Sequence, residues 1–343
     1  MSNKLCHTNI PTARLFGIEN AYSWNPVRGC NNFSCPLHPK NSGKCWAAQL
    51  CRFHAKPWAE SEGKYCYPIN VNESLTLRTL HSYMEGNLTE NIKNNLKFFN
   101  PTWFQSQFDK EFPRRQSCIL VGYQTDLAYV PREWTSKILG KIEENNRERE
   151  AAGLPLHVFQ FLTKSPGKLY PFFEWPINCW LGITAITNAE KLDRFNATWY
   201  WILHRKSGWR NLIYAYFEPL IEGITGDMRA DWVIVGGGPD PINPDWVRSI
   251  KNQCQAAGIR FYFKQWGEWV HPSQKHPYYD GYPLDEKKYY IKAGKKKAGN
   301  LLDGQKWEQF PEVGHPGESL FDYNERVKKT IGLLAESASN PRR

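Results

Sequence analysis

Four cysteines and a histidine fall within GCNNFSCPLHPKNSGKCWAAQLC, residues 29–51 of a 343-residue chain. Thiolate and imidazole are ligands that iron–sulfur centres and zinc favour. Cys30, Cys35 and Cys45 follow one another as C-x4-C-x9-C, and Cys45 opens CWAAQLC, which has helical character. Three thiolates around a strand-to-helix loop can hold three irons of a [4Fe–4S] cluster and leave the fourth iron open. In radical S-adenosylmethionine (SAM) enzymes that iron takes SAM, and one electron then yields a 5′-deoxyadenosyl radical. Their usual spacing is C-x3-C-x2-C, which this chain does not keep. Zinc is the competing account: Cys30, Cys35, His38 and Cys45 make a Cys3His set, and Cys51 with His54 offers another pair. Spacing alone leaves the two metals level. Cys118 and Cys179 open apolar runs and Cys254 lies in a helical stretch, so these read as core residues. Cys6 and Cys66 have no assignment.

Elements that could position the thiols are legible as short β-branched and aromatic runs. Strands are predicted at 118–127, 157–164, 179–186, 212–220, 231–238 and 259–267, with weaker ones at 21–30 and 73–79. Helical stretches lie between them at 132–150 and 244–257, the second with Pro244 at its start and Gly258 past its end. This alternation predicts an α/β fold with a mainly parallel sheet: a TIM-like (β/α) barrel, complete or partial, with an open doubly wound sheet as the alternative. Residues 1–20 read as an N-terminal extension, 21–267 as the barrel, and 268–343 as a basic C-terminal appendage packed on it.

In a barrel the strand ends converge on one rim, where active sites are built. The residues expected there are Gln124, Asp126, Lys164, Thr184, Glu218, Gly236, Gly237 and Lys264. Lys164, Glu218 and Lys264 are the candidates for catalysis, because charged groups after apolar strands need partners or a ligand. Gln124, Asp126, Thr184, Gly236 and Gly237 are the candidates for holding the cofactor. Lys264, Gln265 and Trp266 are expected to face the substrate. For Asp126 and Asn188 helix capping is an equally simple role. The glycines of VGGG (235–238) suit either backbone approach to a phosphate or a close turn.

The formal charge is +10, which favours a polyanionic partner, nucleic acid first. One cluster gathers Lys287, Lys288, Lys292, Lys295, Lys296 and Lys297 around Tyr289 and Tyr290. No apolar run reaches about 18 residues, which argues against a membrane span. The N-terminus lacks the apolar stretch of a secretion signal. A reducing cytoplasm is expected, where cysteines serve metals, catalysis or packing before disulfides.

The blocks WNPVRGC, CWA, QTDL, FQFLTKSP, CWLGIT, FEPLIEGI, DWVIVGGG, PDWVRSIKNQCQAAGIRFYFKQWGEW and GKKKAGNLLDGQKWEQFP occur in that order. From about Trp24 to Pro311 they resemble a family of phage-associated proteins of unknown function, three-cysteine and radical-SAM-like. The resemblance implies a radical-SAM-type barrel with Cys30, Cys35 and Cys45 as cluster ligands. It also puts Trp46 where a tyrosine usually follows the third cysteine. Two departures stand out: PLHPKNSGK separates Cys35 from Cys45, and the family's Gly-Gly-Glu is here Gly236-Gly237-Gly238. The expectation is therefore a [4Fe–4S]- and SAM-dependent enzyme abstracting hydrogen from a nucleic acid, in modification or repair. A flavodoxin- or ferredoxin-type protein would supply its electron. The alternative is a zinc-stabilised nucleic-acid-binding protein of phage or mobile-element origin.

Overall fold

The computed structural model describes residues 4–8, 10–13, 18, 20–33, 35, 38, 45, 47, 48, 101–203, 211–274 and 290–311, with backbone only over 196–203. The strand expected at 73–79, Trp46, Cys51, His54, Cys66, Lys287, Lys288 and Tyr289 lie outside the described residues.

Apolar runs buried on both faces build the central sheet. Its strands are β1 (Cys6–His7), β2 (Ala21–Trp24), β3 (Cys118–Val121), β4 (Val158–Thr163), β5 (Cys179–Thr184), β6 (Ile213–Phe217), β7 (Trp232–Gly236) and β8 (Arg260–Gln265). Order across the sheet equals order along the chain. Strands β2 to β8 are parallel, and β1 is antiparallel to β2. A doubly wound sheet reverses direction at a switch point. This one does not, so that alternative is set aside. The stretch read as an N-terminal extension supplies the edge strand, pairing Cys6 with Ser23.

Three long helices cover one face: α1 (Arg132–Ala151), α2 (Asn188–Leu203) and α3 (Pro244–Ala256). Asn243 caps α3 by accepting the Asp245 N–H at 2.9 Å, and Gly258 ends it with φ +67°. Val247, Ile250 and Cys254 of α3 and Ile138, Leu139 and Ile142 of α1 repeat at helical spacing. They pack on alternate strand residues such as Val121, Phe161, Val235 and Phe263. The intervening residues, among them Trp180, Tyr214, Trp232 and Tyr262, form a second cluster on the other face. Burial on both sides is why these strands read as continuous apolar runs rather than alternating ones. Trp232 sits with its ring centroid 5.8–6.2 Å from those of Trp180, Tyr214, Tyr262 and Phe310. Such aromatic pairs add about 0.5–1.5 kcal/mol each beyond burial.

The sheet is open, so of the complete or partial barrel expected the complete form is set aside. Closure would need the outer edge of β8, and that edge is already taken. Phe263 N–H donates to the Trp307 carbonyl at 2.7 Å, and Gln309 N–H donates to the Phe261 carbonyl at 3.1 Å. Glu308 bridges Tyr262 antiparallel between them. The C-terminal appendage therefore seals an edge. No helix among the described residues is long and apolar enough to cross a membrane.

At the opposite end of the strands from the rim, His157 is fully buried. Its Nδ1 accepts the Ser117 N–H at 3.1 Å, and Arg149 Nη1 lies 3.1 Å from its Nε2. Burial first, and the Arg149 charge second, pull its pKa down to about 3. The folded state refuses a proton that the unfolded chain accepts near pH 6.5, so stability declines as pH falls below that value. The expected loss from this group is about 2 kcal/mol by pH 5. Urea unfolding between pH 7 and 5 should show it, and His157→Gln should remove that part of the slope.

Candidate functional site at the carboxyl rim of the sheet

Beyond β2, the chain forms a short ladder between Val27–Arg28 and Thr102–Trp103, then turns at Gly29, whose φ of +87° suits glycine. Gly29 N–H donates to the Gln124 carbonyl at 3.1 Å, and Thr125 Oγ1 donates to the Gly29 carbonyl at 2.5 Å. Cys30 is thereby fixed to the loop after β3. Its sulfur accepts the Asn32 N–H at 3.3 Å. His38 is buried with its ring on Phe33, and its Nε2 is 3.2 Å from the Cys30 carbonyl. It braces the loop.

Cys30 and Cys45 pack against the same small pair, Ala47 and Ala48. Burial raises the pKa of both thiols. At Cys30 the Asp126 carboxylate raises it further, and the Asn32 and Asp126 amides offset part of the rise. At Cys45 the Ala48 and Ala47 amides oppose burial, Cys35 adds to it, and Lys164 counters it. Cys45 is thus within electrostatic reach of both other thiols and of a lysine. The described cysteines are thiols rather than disulfides. Among the described residues no three His, Cys, Asp or Glu side chains converge as a metal site would require. Backbone N–H groups and Lys164 favour the thiolate form, but burial outweighs them and both sulfurs rest as thiols, so a bound cation would have to supply the charge that draws the protons off. In position they neighbour one another in pairs.

Asp126 is engaged structurally. One carboxylate oxygen accepts the Ala128 N–H at 3.1 Å and the Thr163 hydroxyl at 2.6 Å, and the other accepts the Lys164 N–H at 3.0 Å. It caps the turn Leu127–Tyr129 and clasps the ends of β3 and β4 together, which matches the capping role allowed for it. Gln124 differs. It is buried, and its Oε1 has no hydrogen-bond partner among the described residues. The side-chain oxygens of Asn25 and Asn31, flanking Cys30 in sequence, are likewise buried and unpartnered among those residues. Each such acceptor costs about 1–3 kcal/mol unless a donor reaches it. Sequence reasoning missed the two asparagines. Their signal was an amide on either side of the first cysteine in WNPVRGCN.

A second focus lies over β5 to β8. Lys264 Nζ is 2.7 Å from Glu218 Oε2 and donates to the Tyr216 hydroxyl at 2.9 Å, while Gln265 Nε2 donates to Glu218 Oε1 at 3.0 Å. Thr184 is the register partner of Tyr216. Burial works against the charge on Lys264, but the Tyr216 hydroxyl and the Glu218 carboxylate prevail and lift its pKa. Burial, followed by the Glu218 charge, keeps Tyr216 a neutral phenol. Tyr216 was not foreseen, although it stands two residues before Glu218 and therefore on the same face of β6. A β-carbon on Gly236 would lie 2.9 Å from the Glu218 carboxyl carbon, so glycine there lets Glu218 reach across β7. Glu218→Gln should lower stability by about 1–2 kcal/mol, discounted because both side chains keep some solvent contact. Urea titration measures this. The loss should be constant up to the ordinary lysine pKa, since a raised lysine contributes fully below it and fades only as pH climbs past it.

The other glycines of VGGG are packing residues. Gly237 N–H is spent on the Gln265 carbonyl at 2.8 Å, so it is not offered to a phosphate. A β-carbon on Gly237 would lie 1.8 Å from the Trp266 carbonyl oxygen, and one on Gly238 would lie 2.6 Å from Pro219 Cβ. Trp266 does not face a substrate, contrary to expectation. It is buried, packs on Phe263 and donates its indole N–H to the Leu301 carbonyl at 2.9 Å. An apolar ring three positions from Phe263, and packed on it, has more to gain in the core.

The rim therefore holds two groups: Cys30, Cys45, Lys164 and Gln124 over β2–β4, and Thr184, Tyr216, Glu218, Lys264 and Gln265 over β5–β8. From β3 to β6 is three strand spacings, about 14 Å. Of the basic cluster, Lys295, Lys296 and Lys297 lie exposed on a single helical turn, and Lys292 lies over the Trp269 ring at 5.4 Å. The chain matches no curated protein and no solved structure. A family model described as "Protein of unknown function (DUF5131)" matches residues 18–311, nearly the span from Trp24 to Pro311 over which the sequence blocks run. The chain belongs to that family.

Proposed function

We propose that this chain is a radical-SAM-type enzyme built on a partial β/α barrel, acting on a nucleic acid in the cytoplasm of a phage host. One observation carries this reading: Cys30 and Cys45 pack on the same Ala47–Ala48 pair, with Cys35 within electrostatic reach of Cys45, at the carboxyl rim of a singly wound parallel sheet. Cys30, Cys35 and Cys45 would hold a [4Fe–4S] cluster. When bound, that cluster and SAM supply one-electron chemistry for hydrogen abstraction. The side-chain oxygens of Gln124, Asn25 and Asn31 would accept hydrogen bonds from an amine-bearing ligand beside Cys30. Lys264, held charged by Glu218 and Tyr216, would grip an anionic group of the substrate across the rim. A flavodoxin- or ferredoxin-type protein would deliver the electron.

His38 motivates a second reading, a zinc site in a nucleic-acid-binding protein, because its buried ring lies against the Cys30 backbone. Metal analysis separates the two. Anaerobically isolated protein should contain iron and sulfide, absorb near ~400 nm and release 5′-deoxyadenosine from SAM. Colourless protein with about one zinc per chain would support the second reading and end the first.

A further inference from the structure

The rim continues outward into a groove that neither group of site residues uses. It has a volume of about 260 Å³ and is floored by Leu127, Val130 and Leu169, with Arg132, Lys168, Phe172 and Phe173 along its sides. It begins where the Asp126 clasp ends. Leu127 follows Asp126 directly, Lys168 is four residues after Lys164, and the Tyr129 and Ser165 hydroxyls join the two walls at 2.8 Å.

The two cations here have an uncommon setting. Arg132 and Lys168 are exposed, and among the described residues neither pairs with a carboxylate. Each is instead laid on an aromatic face: the Arg132 guanidinium is 3.5 Å from the Phe172 centroid, and Lys168 Nζ is 4.9 Å from that of Tyr129. An exposed cation–π contact is weak and leaves the charge free to meet an anion. Phe172 is 46% exposed, a large ring that the core does not claim. A groove with an apolar floor, a solvent-facing ring, a planar guanidinium and two unneutralised charges is complementary to a flat ring joined to an anion. Guanidinium planes and phenylalanine rings both stack on unpaired bases.

We infer that this groove binds one nucleotide unit of a single-stranded nucleic acid, stacking its base on Phe172 and Arg132 and holding its phosphate with Arg132 and Lys168. This rests on the nucleic-acid part of the reading above and gives it a location: the strand would enter over the β3 and β4 loops, next to the cysteines.

Fluorescence anisotropy with labelled 12-nucleotide single-stranded DNA and RNA, titrated over a range of salt, tests the assignment. Arg132→Glu and Lys168→Glu should each weaken binding at least about tenfold and lower the salt slope by about one. Phe172→Ala should weaken binding about tenfold with the slope unchanged, since stacking releases no counterions. Arg147→Glu, an exposed change near the far end of α1 from Arg132, should bind like wild type. All three groove side chains are exposed, and circular dichroism would verify that the variants fold. Groove variants that bind like wild type would overturn the assignment while leaving nucleic acid as the substrate class. Wild type that releases 5′-deoxyadenosine but binds no oligonucleotide at low salt would overturn both of these and leave the cluster reading standing. Binding to phosphatidylglycerol vesicles in place of oligonucleotides would overturn the nucleotide assignment.

Discussion

Replacing Cys45 by alanine is expected to reduce bound iron at least severalfold and to abolish 5′-deoxyadenosine release, while the protein stays folded. Cys45 is within electrostatic reach of both other thiols, so its loss leaves only two of the three proposed ligands. Two thiolates do not hold a four-iron cluster of the open type. Stability should hardly change, because Cys45 packs in a small cluster with Ala47 and Ala48, apart from the sheet core. A shift within about 1 kcal/mol by urea titration is the expected result. Cys118→Ala is the complement. Its sulfur is fully buried between strands, so that variant should lose stability and keep its iron. Iron content that follows Cys118 rather than Cys45 would sink the ligand assignment.

Gly237→Ala is expected to be the most damaging glycine-to-alanine change among the described residues. The added carbon would lie 1.8 Å from the Trp266 carbonyl oxygen and 2.4 Å from the carbonyl carbon, and neither is the end of a side chain that could swing aside. The Gly237 N–H bond to Gln265 and the Glu268 N–H bond to Gly238 hold the same two segments in contact. Relief would require separating the end of β7 from the turn after β8, which also carries Gln265 and therefore Glu218. A loss above about 3 kcal/mol, or failure to accumulate folded protein, is expected from overpacking of this kind. Gly153→Ala is the control: its β-carbon would meet nothing within 4 Å, so only the strain of its φ of +63° remains. Thermal melting of the two variants against wild type decides the matter. Equal, small losses would show that the two segments can part.

Much of the architecture was written in the residues, because strands buried on two faces leave continuous apolar runs. DWVIV and CWLGIT became β7 and β5, and Pro244 and Gly258 bounded α3 as their backbone chemistry requires. What could not be read was the state of the sheet's edges. The strand Cys6–His7 is two residues long, too short for periodicity, and Trp307–Gln309 resembles any aromatic-polar segment until it meets β8. The rim was legible as charged residues following apolar runs, yet their roles divided on contacts that sequence does not encode. Asp126 is occupied by three hydrogen-bond donors, whereas Glu218 faces a lysine and a glutamine. Asn25 and Asn31 look like ordinary loop residues. Only their unpartnered oxygens single them out.

The agreement between strand order and chain order has a consequence for how the protein is made. On a ribosome each parallel strand from β3 onward emerges to find its neighbour already in place, so the sheet can lengthen sideways in the direction of synthesis. At every stage one row of backbone amides stands bare, and it travels outward as strands are added. Trp307 to Gln309 emerge after all eight strands and cover the last such row. The growing protein therefore carries its stickiest border until Trp307 to Gln309 have been made.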